Sequence, residues 1–73
     1  MALSDLQKLQ KQVGKRIKAL RIERKIKQQE LAAVCDLEKT HLSRIEAGGQ
    51  NLTLKMLLRI ATSLNVEVGD LFS

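Results

Sequence analysis

The chain has 73 residues and a formal net charge of +5 at neutral pH, so it has the length of one small domain, and residues 1–73 are expected to form a single unit. It has one cysteine and no apolar run near the roughly 20 residues of a membrane span. These features exclude an intrachain disulfide, a cysteine-rich zinc site and a transmembrane helix. A lone unpaired thiol is typical of a reducing compartment, and we expect a cytoplasmic protein with no membrane partner.

Basic residues are concentrated in the first third of the sequence. Nine of the thirteen lie between Lys8 and Lys27, where Glu23 is the only acid. Such a run forms either a solvated helix face or a patch that attracts a polyanion, nucleic acid above all. Phe72 is the only aromatic residue, so the chain lacks the stacking platform that single-strand binders and most sequence-specific RNA binders use. Duplex nucleic acid is therefore the favoured polyanion.

The first segment has the periodicity of a helix with one buried face. Apolar residues recur there at i, i+4 and i+7: Val13, Ile17 and Leu20. Gly14 costs about 1 kcal/mol relative to alanine inside a helix, which leaves two alternatives open. Either one helix covers residues 5–24, or the helix begins near Gly14 and residues 1–12 form a helical extension to a core of residues 13–72.

Two short helices are predicted next, over 28–35 and 39–47, and Gly48 and Gly49 end the second one. Their inward positions are apolar or small: Leu31, Ala32, Cys35, Leu42 and Ile45. Two short helices that share a core across a turn as short as V-C-D-L are typical of a helix-turn-helix, which places its second helix in the major groove of DNA. An ordinary αα-hairpin in a small bundle is the structural alternative.

The fourth helix is predicted over 53–64, with Thr53 as its N-cap. Its apolar face is broad: Leu54, Leu57, Leu58, Ala61 and Leu64. A last turn or short helix over 67–72 supplies apolar residues that can close the core: Val66, Val68, Leu71 and Phe72. Because no segment has the alternation of a strand, the predicted fold is an all-α, compact five-helix domain.

Residues 35–43 bring together a cysteine, an aspartate, a histidine and a serine, which raises the question of a catalytic or metal site. His41 and Ser43 are two residues apart on a helix, where side chains do not face each other, and no carboxylate is spaced to orient the imidazole. One cysteine and one histidine cannot make a structural zinc site. Cys35 lies on an apolar face and is expected to be a small buried hydrophobe. We therefore expect neither an enzyme nor a metal or cofactor site.

Five segments carry a family resemblance: V-G-K-R-I-K-A-L-R, Q-Q-E-L-A, H-L-S-R-I-E-A-G, L-L-R-I-A-T-S-L-N-V and D-L-F. With them, residues 13–72 resemble the Cro/cI-type (XRE-type) helix-turn-helix domain of phage repressors and small bacterial regulators. The resemblance implies a five-helix, lambda-repressor-like fold, binding of double-stranded DNA, and homodimers on two-fold related half-sites. The chain departs from the family at Asp36, where glycine is common, and at Lys27, where a serine or threonine cap is common. Aspartate tolerates a left-handed turn better than most residues.

The resemblance assigns base reading to the exposed positions of the helix over 39–47. Lys39, Thr40 and Arg44 match the positions that most often read base edges, and Ser43 lies on the same outward side. The Arg44 guanidinium can fork onto O6 and N7 of guanine. For His41, base reading and a capping or backbone-contacting role remain alternatives. A solvated helix face is the structural alternative for the whole set.

Other residues are expected to hold the DNA backbone or the domain itself. The expected phosphate contacts, which position the protein without reading sequence, are Lys27, Gln28, Gln50, Asn51 and Lys55. Arg21 and Glu46 match family positions that form a structural ion pair between the first and third helices. The dimer interface has two candidates: the C-terminal residues Val66, Val68, Leu71 and Phe72, or the extension residues Leu3, Leu6 and Leu9.

The leading interpretation is a homodimeric, sequence-specific double-stranded DNA-binding transcriptional regulator that acts on a pseudo-palindromic operator. It resembles phage Cro-like repressors and the autoregulatory controller proteins of restriction–modification systems. The alternative is an antitoxin or adaptor whose main ligand is another protein. An exposed apolar patch that dimerisation does not explain would favour this alternative.

Overall fold

The computed structural model describes residues 3–73, and in that part of the chain it contains helices and no strand. There are four α-helices and a 3₁₀ helix: α1 Leu3–Glu23, α2 Gln28–Val34, α3 Lys39–Ala47, α4 Leu54–Ser63 and the 3₁₀ helix Val68–Phe72. The all-α prediction and the bounds of the middle helices are confirmed. Residues 1–2 and the Leu3 side chain, which belong to the predicted extension, lie outside the described residues.

The predicted fifth helix is a 3₁₀ helix, so the domain has four α-helices rather than five. Its five residues are too few to propagate an α-helix, and 3₁₀ geometry is common in such short pieces. Its start is fixed by the Asp70 carboxylate, which accepts a hydrogen bond from the Glu67 backbone N–H at 2.9 Å. None of the helices in residues 3–73 combines the length and apolarity needed to cross a membrane.

One hydrophobic core joins all the helices. The predicted stripe of α1 and the inward positions of α2 and α3 are all buried: Val13, Ile17, Leu20, Leu31, Ala32, Cys35, Leu42 and Ile45. From the C-terminal half come Leu57, Ile60, Ala61, Leu64 and Leu71. The apolar periodicity therefore located the interior of the domain correctly in α1, α2 and α3.

The predicted apolar face of α4 is wrong at two positions. Leu54 is 83% exposed and Leu58 is 58% exposed, whereas Leu57 and Ala61 are buried as expected. The core covers only one side of this ten-residue helix. The buried side contains Leu57, Ile60 and Ala61, and Leu58 points away from it around the helix. The result is a pair of solvent-exposed leucines one helical turn apart.

Of the two alternatives for the first helix, the continuous one is observed, and Gly14 lies inside it. A Cβ atom at Gly14 would overlap the backbone carbonyl oxygen of Ile45 and lie 2.7 Å from that of Glu46. Glycine is therefore needed because α1 crosses the C-terminal end of α3 at very short distance. The helix-propensity cost of Gly14 is offset by this close packing.

The N-terminal half of α1 is attached to the rest of the domain by hydrogen bonds. Gln12 Nε2 donates to the Phe72 carbonyl at 2.7 Å, and Arg16 Nε donates to the Asp70 carbonyl at 3.0 Å. Leu9 also packs against the core. The Gln12 bond ties the extension to the C-terminal 3₁₀ helix, and the Arg16 bond ties the next turn of α1 to it.

The turns and caps follow the sequence. Asp36 has φ 57°, which confirms the left-handed turn residue between α2 and α3, and Leu37 N–H donates to the Ala32 carbonyl at 2.8 Å to close the turn. Thr53 Oγ1 accepts from Met56 N–H at 3.1 Å and caps α4. At the start of α2, Lys27 provides no side-chain cap, as its identity predicts.

Candidate nucleic-acid interface

The outward face of α3 is polar and accessible. Leu42 and Ile45 anchor the helix in the core. The residues expected to read bases lie on the opposite side and are exposed: Lys39, Thr40, Ser43 and Arg44. This face carries an ammonium group, a guanidinium group and two hydroxyls. These groups can donate hydrogen bonds to the acceptor atoms of base edges in a major groove.

His41 occupies the flank of that face and is half-buried. It borders a shallow depression whose rim includes Thr40, Arg44 and Gln50. Gln50, which follows α3 by three residues, is therefore brought next to the side chains expected to read bases. The same depression is bordered by Asp36 and Glu38, so its α2–α3 edge is acidic while its other edge is basic and polar.

A buried carboxylate fixes α3 to the two preceding helices. Glu46 is 6% exposed and accepts from Arg21 Nε at 2.8 Å and from Arg21 Nη2 at 3.1 Å. Gln28 Nε2 donates to the same carboxylate at 3.0 Å, and Arg21 Nη1 donates to the Ile26 carbonyl at 2.9 Å. The forked, charge-assisted contact and the additional bonds provide the hydrogen-bond partners that buried charges require.

Gln28 has fewer hydrogen-bond donors left for a DNA phosphate than the sequence suggested. It is the first residue of α2 and is half-buried, and one of its two amide hydrogens is used by Glu46. The second hydrogen remains for an external acceptor, so a phosphate contact from Gln28 would share the amide with the buried carboxylate. Such sharing would hold the amide in a single orientation.

The remaining expected phosphate contacts lie on both sides of α3. Lys27 is exposed directly before α2. On the other side, Asn51 is exposed and its side-chain oxygen accepts a hydrogen bond from Gln10 Nε2. Lys55 is exposed on the first turn of α4. Gln10 was not among the expected site residues, because a bond across 41 positions leaves no local signal in the sequence.

The predicted C-terminal dimer residues do not form one exposed surface. Leu71 is 0% exposed, so its place in the predicted interface is wrong: its side chain fills the core of its own domain. Val66 and Val68 are half-buried and pack against that core, whereas Phe72 is exposed. Of the extension candidates, Leu6 and Leu9 line an open apolar groove.

Within residues 3–73 no three histidine, cysteine, aspartate or glutamate side chains are grouped so that they could hold a metal ion. Cys35 is buried, as its position on an apolar helix face predicted. Its Sγ atom lies 3.5 Å from Ser63 Oγ, which joins α2 to α4. In this structure the cysteine is a packing residue.

The chain belongs to the helix-turn-helix family, whose model matches residues 17–71, and the resemblance to Cro/cI-type regulators is thereby confirmed. It is 38% identical over 61 residues to the control protein C.MunI of a Mycoplasma species, and the match covers 82% of each chain. It is 41% identical over 56 residues to the immunity repressor protein of Bacillus phage phi105, a match that covers 77% of this chain and 39% of the repressor. The fold is similar to the crystal structure of the restriction-modification controller protein C.AhdI from Aeromonas hydrophila. That likeness has a TM-score of 0.83 at 30% identity and covers 94% of this chain and 98% of C.AhdI.

Proposed function

We propose that the chain is a transcriptional regulator that binds double-stranded DNA in a sequence-specific manner as a homodimer. The observation that carries the proposal is the exposed polar face of α3, held rigidly by the buried Glu46 carboxylate. Relatives described as control and immunity repressor proteins support the same function. We infer a repressor or an autoregulatory controller, a binding protein rather than an enzyme.

Base reading is assigned to the N-terminal two turns of α3. Arg44 donates two parallel hydrogen bonds to guanine, a contact worth about 1–3 kcal/mol of discrimination. Lys39 donates to guanine or to a phosphate, and Thr40 bonds a base edge or contacts a thymine methyl group. Ser43 and His41 flank these three and complete the reading surface.

Phosphate binding is assigned to residues on the two sides of α3. Lys27 and Gln28 hold one strand, and the free N–H of the Gln28 amide donates to a phosphate oxygen. The other strand is held by Gln50, Asn51 and Lys55. These contacts fix the register of α3 in the groove and contribute no sequence information themselves.

Dimerisation is inferred because one short reading helix contacts too few base pairs for a specific site. Half-sites one helical turn apart need reading helices about 34 Å apart, and the domain measures 33 × 23 × 21 Å. In such a dimer each α3 lies about 17 Å from the two-fold axis. The exposed leucines of α4, Leu54 and Leu58, support an interface on this helix, and Phe72 remains a candidate at its edge.

The alternative of an antitoxin or adaptor has one observation in its favour. An open, mostly apolar groove is lined by Leu6, Leu9, Leu52 and Phe72, and an interface on α4 does not explain it. A protein partner that inserts an apolar side chain there would make DNA binding secondary. Selection from a duplex library tests the regulator function directly, and a wild type that enriches no site would favour the protein-binding alternative.

The test is selection from a random-sequence duplex library with the wild type, Arg44→Ala and Arg59→Ala. Arg59 is exposed on α4 and serves as the control, since its loss removes the same charge away from α3. We expect the wild type and Arg59→Ala to enrich the same palindromic site, and Arg44→Ala to lose one base preference in each half-site. Failure of the wild type to enrich any sequence would contradict the proposed function.

A further inference from the structure

One face of α1 lies across the C-terminal end of the reading helix. The residues of this crossing face recur at i, i+3, i+7 and i+10, and therefore lie on one side of the helix: Lys11, Gly14, Lys18 and Arg21. Three contacts fix the arrangement. Gly14 lies against the Glu46 carbonyl, Lys11 lies against Gly48, and Arg21 binds the Glu46 carboxylate.

The four positions differ in what they leave exposed. Gly14 and Arg21 face the domain, while Lys11 and Lys18 are exposed. Neither lysine has a carboxylate partner in the part of the chain that the structure describes. Lys11 is therefore exposed beside Gly48 at the C-terminal end of α3, and Lys18 is exposed further along the same face of α1.

The same end of α3 adjoins the loop assigned to phosphate binding. Gly48, which Lys11 contacts, ends α3, and Gln10, the neighbour of Lys11, is bonded to Asn51. Lys11 thus contacts the residue at which this loop begins, and its neighbour Gln10 is bonded to Asn51 within the loop. Gln50 of the same loop borders the depression beside Thr40 and Arg44. Lys18 is two helical turns further along the same face.

Repulsion gives the lysines a reason to bind an anion. Lys11, Lys15 and Lys18 are spaced at i, i+4 and i+7, and like charges at such spacing destabilise a helix. Glu46, the carboxylate on the adjoining end of α3, is already bonded to Arg21 and Gln28. A polyanion placed against this face would relieve the repulsion.

We propose that Lys11 and Lys18 bind phosphate groups of the DNA backbone next to the C-terminal end of α3. This inference rests on the proposed function and extends the protein's footprint beyond the contacts assigned to α2 and to the loop before α4. A lysine ammonium is a point charge without the forked geometry that reads guanine. The contacts therefore add affinity and salt dependence, and the preferred sequence stays the same.

A structural role is the competing account of the same two lysines. Cations are favoured near the C-terminal end of a helix because of its partial negative charge, and α3 ends beside Lys11. In that account Lys11 and Lys18 stabilise the fold and do not contact DNA. The two accounts differ in salt dependence, which responds only to phosphates that are contacted.

The experiment compares the double variant Lys11→Gln/Lys18→Gln with Lys8→Gln/Lys15→Gln. Both remove two charges from α1, and both relieve the repulsion, because Lys15 lies between Lys11 and Lys18 on the helix surface. The control pair differs in that it points about 60° further from Gly14 around the helix. Affinity for a selected palindromic duplex is measured from about 50 to 200 mM salt, and each lost phosphate contact lowers the slope of log affinity against log salt by about 0.9. We expect the crossing-face variant to lose about 2 from the slope per protomer, to bind about tenfold or more weakly at 0.1 M salt, and to select the same sequence.

Four results would overturn the proposal. Equal slope changes in the two variants would mean that only net charge matters. A lowered melting temperature of Lys11→Gln/Lys18→Gln with an unchanged slope would assign the lysines to the end of α3. A wild type without salt-dependent DNA binding would refute the proposed function itself, and a wild type that binds normally alongside unaffected variants would refute this inference alone.

Discussion

The helices α3 and α4 have nearly the same length, nine and ten residues, yet they distribute polar and apolar side chains in opposite ways. In α3 a glutamate is buried and the exposed side is polar, whereas α4 exposes Leu54 and Leu58. A buried charge costs free energy unless it is paired, and exposed leucines leave a burial free energy that only a partner surface can supply. The two helices differ in whether the groups that offset this cost lie inside the domain or outside it.

For α3 the compensation is inside the domain. Arg21 and Gln28 supply three hydrogen bonds to the Glu46 carboxylate, and these hold the helix in one position on α1 and α2. For α4 the described residues offer no cover for the two leucines. We infer that α3 is built to present a fixed surface and that the exposed side of α4 is built to be covered by a partner.

The largest loss of stability is expected when the buried Glu46 carboxylate of α3 is removed. Glu46→Ala leaves the Arg21 guanidinium, 11% exposed, without its anion, and removing one partner of a buried pair costs about 3–5 kcal/mol. A domain of this length has about 4–11 kcal/mol of stability in total. Urea denaturation should therefore show a protein at the edge of unfolding.

The matched control is Glu38→Ala, which removes an exposed carboxylate that makes no side-chain cap at the start of the same helix. Its effect should stay within about 0.5 kcal/mol. If Glu46→Ala cost no more stability than this control, the bonds of Glu46 to Arg21 and Gln28 would not be what holds α3 in position.

The next effect concerns the crossing of α1 over α3. Gly14→Ala should destabilise the domain by about 1–3 kcal/mol because the added methyl group overlaps backbone atoms of α3. Helix propensity alone predicts the opposite sign, a gain of about 1 kcal/mol. Gly69→Ala, where a Cβ atom meets nothing within 4 Å, is the control in thermal and urea unfolding. A more stable Gly14→Ala variant would contradict the close crossing.

The exposed leucines of α4 test whether this helix is covered by a partner. Leu54→Gln/Leu58→Gln should leave the stability of the monomer nearly unchanged and weaken dimerisation at least about tenfold, or about 1.4 kcal/mol. Sedimentation equilibrium measures the association constant. The control is Ile22→Gln, another exposed apolar residue, on α1. A larger effect from Phe72→Gln than from the α4 pair would move the interface to the C-terminus.

The smallest effect is expected at the turn that leads into α3. Asp36 has φ 57°, and Asp36→Gly relieves left-handed strain while giving the unfolded chain more freedom. The two contributions partly cancel, so the free energy of unfolding should rise by less than about 1 kcal/mol. Loss of stability on this substitution would show that the Asp36 side chain has a role beyond its backbone conformation.

Much of the fold could be predicted because its signals are local. Apolar periodicity placed Ile17, Leu42 and Ile45 in the core, and cap chemistry placed Thr53 at the start of α4. The pattern of α4 was misleading because periodicity describes how wide an apolar face is and not how much of it the core covers. Leu71 was expected both to close the core and to contribute to a dimer interface, and its complete burial confirms only the first of these roles.

The site could be predicted less completely, because its architecture depends on contacts between distant residues. The polar positions of α3 follow from its periodicity. The bond from Gln10 to Asn51 joins residues 41 positions apart, and the overlap at Gly14 involves atoms of α3. Neither contact leaves a local pattern in the sequence. Helix propensity alone even predicts that Gly14→Ala would stabilise the domain, the opposite of what the close crossing predicts.

We propose that α3 reads base edges while residues before α2 and at the start of α4 hold the DNA backbone. The most direct test measures the affinity of the wild type and Arg44→Ala for a selected duplex and for a scrambled duplex of equal length in the same salt. We predict that Arg44→Ala loses about 1–3 kcal/mol per half-site on the selected duplex and little on the scrambled one. An equal loss of affinity on both duplexes would mean that Arg44 only contacts phosphates, and would contradict base reading by α3.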